Sequence, residues 1–247
     1  MKRGYRRAVN RGLASVNTPF VLTISLDAKI NLKALNNMYA VGKEDDTVVC
    51  VAPGLYTQGQ GLEFWVMEPG ELRCIKADFE IGGHFCTWFT SGTVASYRTE
   101  ALKEIGGFDE NIFVYNEDCE LSYRLTQSGY SLIILPDFKA HHINSDSTRR
   151  SVRLNWRKDW NYAWSILYLL KKHKGLNFAR KEAISLVLER APKANFYFCT
   201  LNVQRLTRNC ATFMGAVNFL IGKNPHRENK RREKIISSLN IAVIIIS

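Results

Sequence analysis

The sequence lacks several features that would assign it directly to a class. None of its apolar runs reaches the roughly 20 residues that span a bilayer, so no transmembrane helix is predicted. The six cysteines form no CxxC pair and do not cluster with the five histidines, which argues against a zinc site or a disulfide framework. We therefore expect free thiols in a reducing compartment. Repeats and low-complexity linkers are absent, and no small-residue cleavage site follows the basic start, so no signal peptide is predicted.

Charge divides the 247-residue chain into two regions. Residues 1–148 contain 14 Lys and Arg against 18 Asp and Glu, whereas residues 149–247 contain 20 against 5. We expect residues 1–148 to form the portion that carries the chemistry. Residues 149–247 are expected to form a basic helical region that meets an anionic partner. The apolar content of 46% is high enough for a buried core.

Hydrophobic patterning predicts alternating strands and helices up to residue 148, which is typical of an α/β layered sheet. Strands are predicted over 20–26, 47–52, 85–97 and 131–135, with a weak strand at 64–67. Helices are predicted over 4–16, 31–38, 99–105 and 117–128, and Asn31 and Thr99 are expected as caps. After residue 150 the pattern is helical, with helices through 156–171, 179–190 and 196–222. The apolar tail 235–246 is predicted to be a packed strand or helix.

One short segment has a high density of acidic residues. Five carboxylates lie within twelve residues: Asp109, Glu110, Glu117, Asp118 and Glu120. Glu117 and Asp118 open the predicted helix, which has Leu121 and Leu125 on one face and stops at Gly129. A carboxylate at the positive end of a helix stays ionised and can serve as a general base or a metal ligand. The alternative is that these residues only cap the helix.

Three segments of the chain together resemble family 2 glycosyltransferases, particularly rhamnosyltransferase-like members. Residues 106–125 are similar to the signature GGFDE…ED.DL..R. Residues 10–28 resemble the N.GL…LNPDa stretch, and residues 136–147, which contain His141 and His142, resemble P.a….H….S. The resemblance covers about residues 1–175. It implies a GT-A-like mixed sheet flanked by helices, incomplete at the N-terminus and followed by a helical C-terminal region.

The same resemblance implies roles for individual residues. Asp118 would remove the proton of the acceptor hydroxyl, and Glu117 would orient the acceptor. Asp27 and His142 would bind a divalent metal, Mg²⁺ or Mn²⁺, against the donor diphosphate, although Ser25 and Leu26 depart from the family pattern. The residues expected to contact substrate are Trp88, Ser91, Gly92, Asp109 and Glu110.

The function implied by the resemblance is inverting transfer of a sugar from a nucleotide-diphosphate sugar to a glycan or lipid-linked acceptor. We expect a cytoplasmic protein that is peripheral on the inner face of an anionic membrane through basic residues such as Arg149, Arg150 and Arg153. In the family, nucleotide-binding strands precede the Asn-x-Gly segment. The chain is therefore expected to lack them and to leave a sheet edge unpaired.

Two alternatives remain open. One is a non-catalytic glycan-binding protein that retains only the acceptor half of the family. The other is a basic nucleic-acid binder, suggested by Lys230, Arg231 and Arg232, although no nucleic-acid partner is expected from the acidic first region. The tryptophans at 156, 160 and 164 share one helix face, which favours core packing over a sugar platform.

Overall fold

The computed structural model describes residues 5–25, 27–57, 61–77, 82–112, 115–142, 151–223 and 241–245. These residues form two compact units. The first unit contains the described residues within 1–110, 117–145 and 236–247. The second unit contains the described residues within 111–116 and 146–235. The predicted boundary after residue 148 lies outside the described residues and stays a prediction. The same holds for Leu26, Ser147, the basic pair 149–150 and the cluster 230–232.

The first unit is built on one eight-stranded mixed sheet with the strand order β10-β1-β8-β3-β9-β2. In addition, β4 pairs with β3 and β7 pairs with β9, while β5 and β6 form a separate hairpin. Strands β3 and β9 are parallel, and the other pairs are antiparallel. The strands are Phe20–Ser25 (β1), Ala28–Lys29 (β2), Val48–Thr57 (β3), Gly61–Glu63 (β4), Trp65–Val66 (β5), Ile75–Lys76 (β6), Phe85–Thr87 (β7), Val94–Arg98 (β8), Ser131–His142 (β9) and Ile241–Ile245 (β10).

Seven helices are described, four in the first unit and three in the second. They are Tyr5–Ala14 (α1), Leu32–Glu44 (α2), Thr99–Glu104 (α3), Glu117–Gln127 (α4), Val152–Lys174 (α5), Leu176–Cys199 (α6) and Val203–Leu220 (α7). Among these helices, none combines the length and the apolar character that crossing a bilayer requires.

The sheet buries apolar side chains on both faces because neighbouring residues of a strand point to opposite sides. On one face Val21 packs with Val9 of α1 and Leu121 of α4. On the other face Leu22 packs with Met38 of α2. This layering places the N-terminus of α4 beside the end of β1, where the predicted site residues lie.

Both central strands run further than the sequence predicts. The expected strand 47–52 continues through Pro53 and Gly54 to Thr57, and the strand 131–135 continues through Pro136 to His142. The pairing register of β3 and β9 shifts between Pro53 and Gly54, which takes the proline at 136 out of the regular ladder. Gly54 is needed there because a Cβ would lie 2.9 Å from the Pro136 carbonyl oxygen.

Two other expectations are corrected. The predicted strand 85–97 is two strands, β7 and β8, separated by a turn at 88–93. Asn31 caps α2 by accepting the Ala34 N–H at 2.8 Å, as expected, but Thr99 is the first residue of α3 instead of its cap. The apolar tail supplies β10, which pairs antiparallel with β1, so β10 and β2 are the strands at the two ends of the described order. The expected unpaired sheet edge stays a prediction.

The helices of the second unit also differ in their boundaries. Helix α6 continues through Pro192 to Cys199, and the chain turns at 200–202, where Leu201 has a φ of 53°. Asn202 then caps α7 by accepting the Arg205 N–H at 3.1 Å. Trp164 is buried, stacks on Tyr168 and donates to the Lys223 carbonyl at 2.9 Å, which supports the core-packing interpretation for that residue.

The loop at Gly106 and Gly107 is held from two sides. The Asn10 side chain of α1 donates to the Phe108 carbonyl at 2.8 Å and accepts the Phe108 N–H at 2.9 Å. Arg124 of α4 donates to the carbonyl of Gly107 at 2.6 Å and to the carboxylate of the fully buried Glu120. The separate motifs around residues 10 and 106–125 therefore form one structural unit.

We predict that Gly107→Ala destabilises the fold more than Gly106→Ala. Both glycines have left-handed φ values, 67° and 79°, so each alanine costs about 1–2 kcal/mol of backbone strain. At Gly107 the added Cβ would also lie 2.5 Å from Asn10 Oδ1, whereas at Gly106 it would meet nothing within 4 Å. Urea unfolding of the two variants checks this, and equal losses of unfolding free energy would contradict it.

Candidate active site

The N-terminal turn of α4 lies against the turn at 88–93. Asp118 Oδ2 accepts the backbone N–H of Gly92 at 2.9 Å, and Ser122 Oγ accepts that of Thr90 at 3.2 Å. Positions 118 and 122 are four apart, so both side chains leave the same face of the helix. Two hydrogen bonds thereby fix Asp118 relative to the turn that follows Trp88.

The environment raises the pKa of Asp118 from its ordinary value of 3.8 to about 7. Burial of the carboxylate is the largest cause, and the negative charge of Glu117 adds to it. The Gly92 N–H and the positive charge of Arg6 act in the opposite direction. Oδ1, the second oxygen, accepts no hydrogen bond from the described residues. Asp118 is therefore a fixed carboxylate that titrates near neutral pH and has one oxygen available to a ligand.

Arg6 of α1 is a member of the site that the sequence interpretation missed. It is 2% exposed, and its Nη1 lies 3.7 Å from Oε2 of Glu117. Its position could have signalled this, because Arg6 is three and seven residues before Val9 and Leu13, on the buried side of the helix. A charged residue on the apolar face of a helix indicates that a partner of opposite charge is buried beside it.

The backbone that leads into α4 is held in an unusual conformation. Tyr115 and Asn116 both adopt left-handed φ values, 67° and 65°. Asparagine tolerates this region, whereas a tyrosine there is uncommon. Consecutive left-handed residues of this kind concentrate at functional sites, where surrounding contacts maintain them.

Asp27 and His142, the two predicted metal ligands, lie side by side. His142 pairs with Ala28 in the β2–β9 ladder, and its Nε2 is 3.2 Å from Asp27 Oδ2. Both side chains remain partly exposed, at 25% for His142 and 43% for Asp27. One carboxylate oxygen and one imidazole nitrogen suit a divalent ion such as Mn²⁺. No cluster of three His, Cys, Asp or Glu side chains that could hold a metal occurs within the described ranges.

His141, the neighbouring histidine, faces a different environment. It is exposed, and its ring lies edge-on to Tyr56 at 5.2 Å between centroids. In the β9 strand, successive side chains point to opposite faces, which separates His141 from the Asp27 pair. The sequence-based choice of His142 over His141 as partner of Asp27 is consistent with this geometry.

A short chain of contacts connects the Asp118 site to the Asp27 pair. The N–H of Ser25, at the end of β1, donates to the carbonyl of Thr93 at 2.8 Å. Thr93 follows Gly92 directly, and Asp27 follows Ser25 by two residues, a span of at most about 7 Å. The base candidate and the metal candidates therefore share one end of the sheet.

The residues predicted to bind substrate have different surroundings. Ser91 uses its hydroxyl locally, bonding Thr93 Oγ1 at 3.0 Å and the Thr93 N–H at 3.3 Å, so it shapes the turn. Gly92 is buried and offers its N–H to Asp118. Trp88 is 38% exposed and leaves a large apolar ring accessible. An open cleft beside this turn is lined by Pro53, Leu55, Phe64, Trp65, Ser91 and neighbouring residues.

The two other predicted substrate residues, Asp109 and Glu110, follow the Gly107 loop. Glu110 is exposed, but its carboxylate accepts from Arg7 Nε at 3.0 Å and lies 3.5 Å from Asn10 Nδ2. These contacts connect the loop to α1. Asp109 is partly buried. The predicted substrate role of both carboxylates stays a prediction, and the geometry of Glu110 favours a contact within the fold.

Comparison with known proteins identifies relatives of this chain. L-rhamnosyltransferase acting on N-acetylglucosaminyl-diphospho-decaprenol, from Mycobacterium tuberculosis, is 27% identical over 45% of this chain and 36% of its own length. Succinoglycan biosynthesis protein ExoA from Rhizobium meliloti is 49% identical over 53% of this chain and 40% of its own length. The matches thus span about two fifths of these curated relatives.

A solved structure shares the fold. GalNAc-T7, solved with UDP, GalNAc and Mn²⁺, superposes with a TM-score of 0.52 at 14% identity, covering 68% of this chain and 34% of that chain. The expected GT-A architecture, a central mixed sheet with flanking helices and a helical C-terminal region, is confirmed.

The family match covers residues 73–220 and includes Asp118, Gly92 and His142, although not Asp27. The model that matches is described as glycosyl transferase family group 2. The match spans more than half of the sequence and confirms the resemblance seen in the motifs. The chain therefore belongs to glycosyl transferase family group 2.

Proposed function

We propose that this chain catalyses inverting transfer of a sugar from a nucleotide-diphosphate sugar to a hydroxyl of a glycan or lipid-linked acceptor. The observation that carries the proposal is Asp118, a fixed carboxylate with a pKa of about 7. Its partner Gly92 lies between Ser91 and Thr93, which line the cleft. The named relatives, a rhamnosyltransferase and a succinoglycan biosynthesis protein, support a role in polysaccharide or cell-envelope biosynthesis.

Asp118 acts as the general base in this mechanism. Its carboxylate accepts the proton of the acceptor hydroxyl while the hydroxyl oxygen attacks the anomeric carbon and the nucleoside diphosphate leaves. One displacement from the face opposite the leaving group inverts the configuration. A base with a pKa near the working pH is both largely available and strong enough to take the proton. The Gly92 N–H holds Oδ2, which leaves Oδ1 for the acceptor.

Glu117 orients the acceptor beside the base. Its side chain is 18% exposed, and Oε2 accepts no hydrogen bond from the described residues. This oxygen is buried and lies 3.7 Å from Nη1 of Arg6, which balances the charge that the two carboxylates share. The other oxygen of Glu117 would accept a second hydroxyl of the acceptor. The exposed ring of Trp88 offers an apolar surface for the face of a sugar ring.

Asp27 and His142 would hold the divalent metal, Mg²⁺ or Mn²⁺. Their oxygen and nitrogen atoms fit such an ion as two of its ligands, and the diphosphate of the donor would provide others. When bound, the ion offsets the negative charge that develops on the leaving diphosphate.

The second unit provides a surface for an anionic membrane. On α6, the exposed side chains of Ile184, Leu188 and Phe198 lie within one arc of the helix, and Leu201 at the following turn is 83% exposed. Exposed basic residues follow the same segments: Arg180, Lys181, Lys193, Arg205 and Arg208. Apolar side chains at the acyl boundary with cations at the headgroups describe a helix that lies on a membrane.

The alternatives differ in what they require of the site. A non-catalytic glycan-binding protein needs no base, so turnover that depends on Asp118 distinguishes it from the enzyme. A nucleic-acid binder would use the 20 basic residues of 149–247, and its affinity for RNA or DNA would fall steeply with salt.

We predict that Asp118→Asn lowers turnover about 10²–10⁴-fold because it removes the base but keeps an acceptor for the Gly92 N–H. In the wild type, kcat/KM should rise with pH through about 7, since only the ionised carboxylate accepts a proton. Release of nucleoside diphosphate from a panel of nucleotide-diphosphate sugars measures the turnover of the variant and the pH dependence of the wild type. Near-normal turnover of the variant, or a rate independent of pH from 5.5 to 8, would rule out the assignment.

Stability provides the control for this variant. The folded pKa of Asp118 lies above the unfolded value of 3.8, so this group favours the folded state below about pH 4 and loses that contribution as pH rises to about 7. At pH 8 the Asn variant should therefore be at least as stable as the wild type. If the variant is destabilised, Glu117→Gln tests the assignment through the pH profile, because it removes a charge that raises the pKa of Asp118 and should move the rise of kcat/KM to lower pH.

The metal pair is tested with Mn²⁺ and UDP as probes. Asp27→Ala and His142→Ala should each weaken Mn²⁺ binding in the presence of UDP by about tenfold or more, because each removes a direct ligand. His141→Ala is the matched control, since this residue packs on Tyr56 and should leave binding unchanged. Electron paramagnetic resonance of bound Mn²⁺ gives the affinities. Equal losses of Mn²⁺ affinity in all three variants would show that Asp27 and His142 are not a specific metal site.

We predict that Leu201→Asp reduces binding to vesicles of phosphatidylglycerol and phosphatidylcholine by about tenfold, since a buried leucine contributes about 1.5–3 kcal/mol. Leu32→Asp is the control, because Leu32 is 77% exposed in the first unit and starts α2, where an acid is favourable. The fraction of protein that co-sediments should fall when salt is added and when neutral vesicles replace the anionic ones. Loss of binding in both variants, or in neither, would contradict this surface.

A further inference from the structure

Two thiols lie next to each other beside the base. The Cys119 thiol donates a hydrogen bond to Cys74 Sγ across 3.5 Å, although the residues are 45 positions apart in the chain. All six cysteines of the chain are described and are free thiols, and no other two of them are in hydrogen-bond contact. Cys119 follows Asp118 directly in the first turn of α4. Cys74 directly precedes β6, which pairs with β5 next to the cleft residue Phe64.

We propose that Cys74 and Cys119 form a reversible dithiol–disulfide site that takes disulfides of small thiols, such as glutathione disulfide, as oxidant. Contact of the two sulfurs carries the proposal, because a disulfide requires the sulfurs to close from 3.5 Å to about 2.05 Å, a movement that local adjustment can supply.

Exposure divides the roles between the two thiols. Cys74 is partly exposed, and the hydrogen bond from Cys119 lowers the pKa of its thiol. Cys119 is 2% exposed, and its role as donor together with burial raises the pKa of its thiol. An accessible, more acidic thiol beside a buried one matches an attacking and a resolving cysteine. Cys50 offers a contrast, since burial raises its pKa to about 12 and keeps it inert.

The exchange proceeds in two balanced steps. The Cys74 thiolate attacks one sulfur of the external disulfide, which forms a mixed disulfide and releases one small thiol. Cys119 then loses its proton and attacks the Cys74 sulfur, which forms the protein disulfide and releases the second small thiol. The protein gives up two electrons and two protons, and the external disulfide takes up both.

The consequence for the site follows from the position of Cys119. A disulfide would connect the first turn of α4 to the segment before β6, and it would move one or both by about 1.5 Å in total. Asp118 is the neighbouring residue and is held at 2.9 Å from Gly92, so this movement displaces the base. Displacement of about 1 Å in a reacting group is enough to lower turnover by about 100-fold. This second part rests on the proposed function, whereas the disulfide itself does not.

The test uses the full chain with glutathione disulfide as the probe, followed by alkylation of the remaining thiols and peptide mass mapping. We expect a Cys74–Cys119 cross-linked peptide pair that reverts with dithiothreitol. Cys119→Ser should trap a mixed glutathione disulfide on Cys74, and Cys86→Ser, which removes an exposed thiol elsewhere, should leave the cross-link intact. A persistent mixed disulfide on Cys74 in the wild type, without a cross-link, would overturn the site.

Turnover before and after oxidation tests the effect on the base. We expect a 10- to 100-fold loss that appears with the cross-link and is absent in Cys74→Ser. A cross-linked protein with unchanged turnover would overturn the displacement of Asp118 but leave the dithiol site established. If the reduced wild type shows no turnover with any donor, the proposed function fails, and the mass mapping still decides the disulfide.

Discussion

The chemistry proposed for this protein depends on one hydrogen bond, from the Gly92 N–H to the Asp118 carboxylate. Burial and the charge of Glu117 favour the protonated acid, whereas this N–H and the charge of Arg6 favour the carboxylate. The balance sets the pKa of Asp118 at about 7. Further donors would lower the pKa and weaken the base, and without the Gly92 bond the group would stay protonated at neutral pH.

The family signature combines residues of two kinds, and the structure separates them. Asn10, Gly107 and Arg124 form a support in which side chains from α1 and α4 hold the same loop. Glu120 is fully buried and paired with Arg124, so its carboxylate serves the fold. Of the five carboxylates in the segment, Asp118 and Glu117 are the two beside the turn at 88–93 and the buried Arg6. A motif of this kind identifies the family, whereas burial and contacts single out Asp118 as the candidate base.

How far the sequence predicts the molecule depends on whether the signal is local. The continuous apolar run of β1 and the Asn31 cap are local signals and could be predicted, as could the carboxylates that open α4. The continuation of β3 beyond Pro53 and of β9 beyond Pro136 could not be predicted, because it depends on a shift in the pairing register of two strands that are distant in sequence. Arg6 and the Cys74–Cys119 contact were also missed, since residues far apart in sequence meet there. The pairing of Asp27 with His142 was predicted because the family order of motifs implied it.

The first turn of α4 connects distant parts of the chain with the proposed base. Successive helical residues point about 100° apart, so four consecutive side chains reach four different partners. Glu117 faces Arg6 of α1, Asp118 faces Gly92, Cys119 faces Cys74, and Glu120 binds Arg124, which in turn holds the Gly107 loop. A rotation of this turn would weaken all four contacts together. The position of the proposed base therefore depends on its neighbours in the helix as well as on its own hydrogen bond, and Glu117, Arg6 and the Gly92 N–H also act on its pKa.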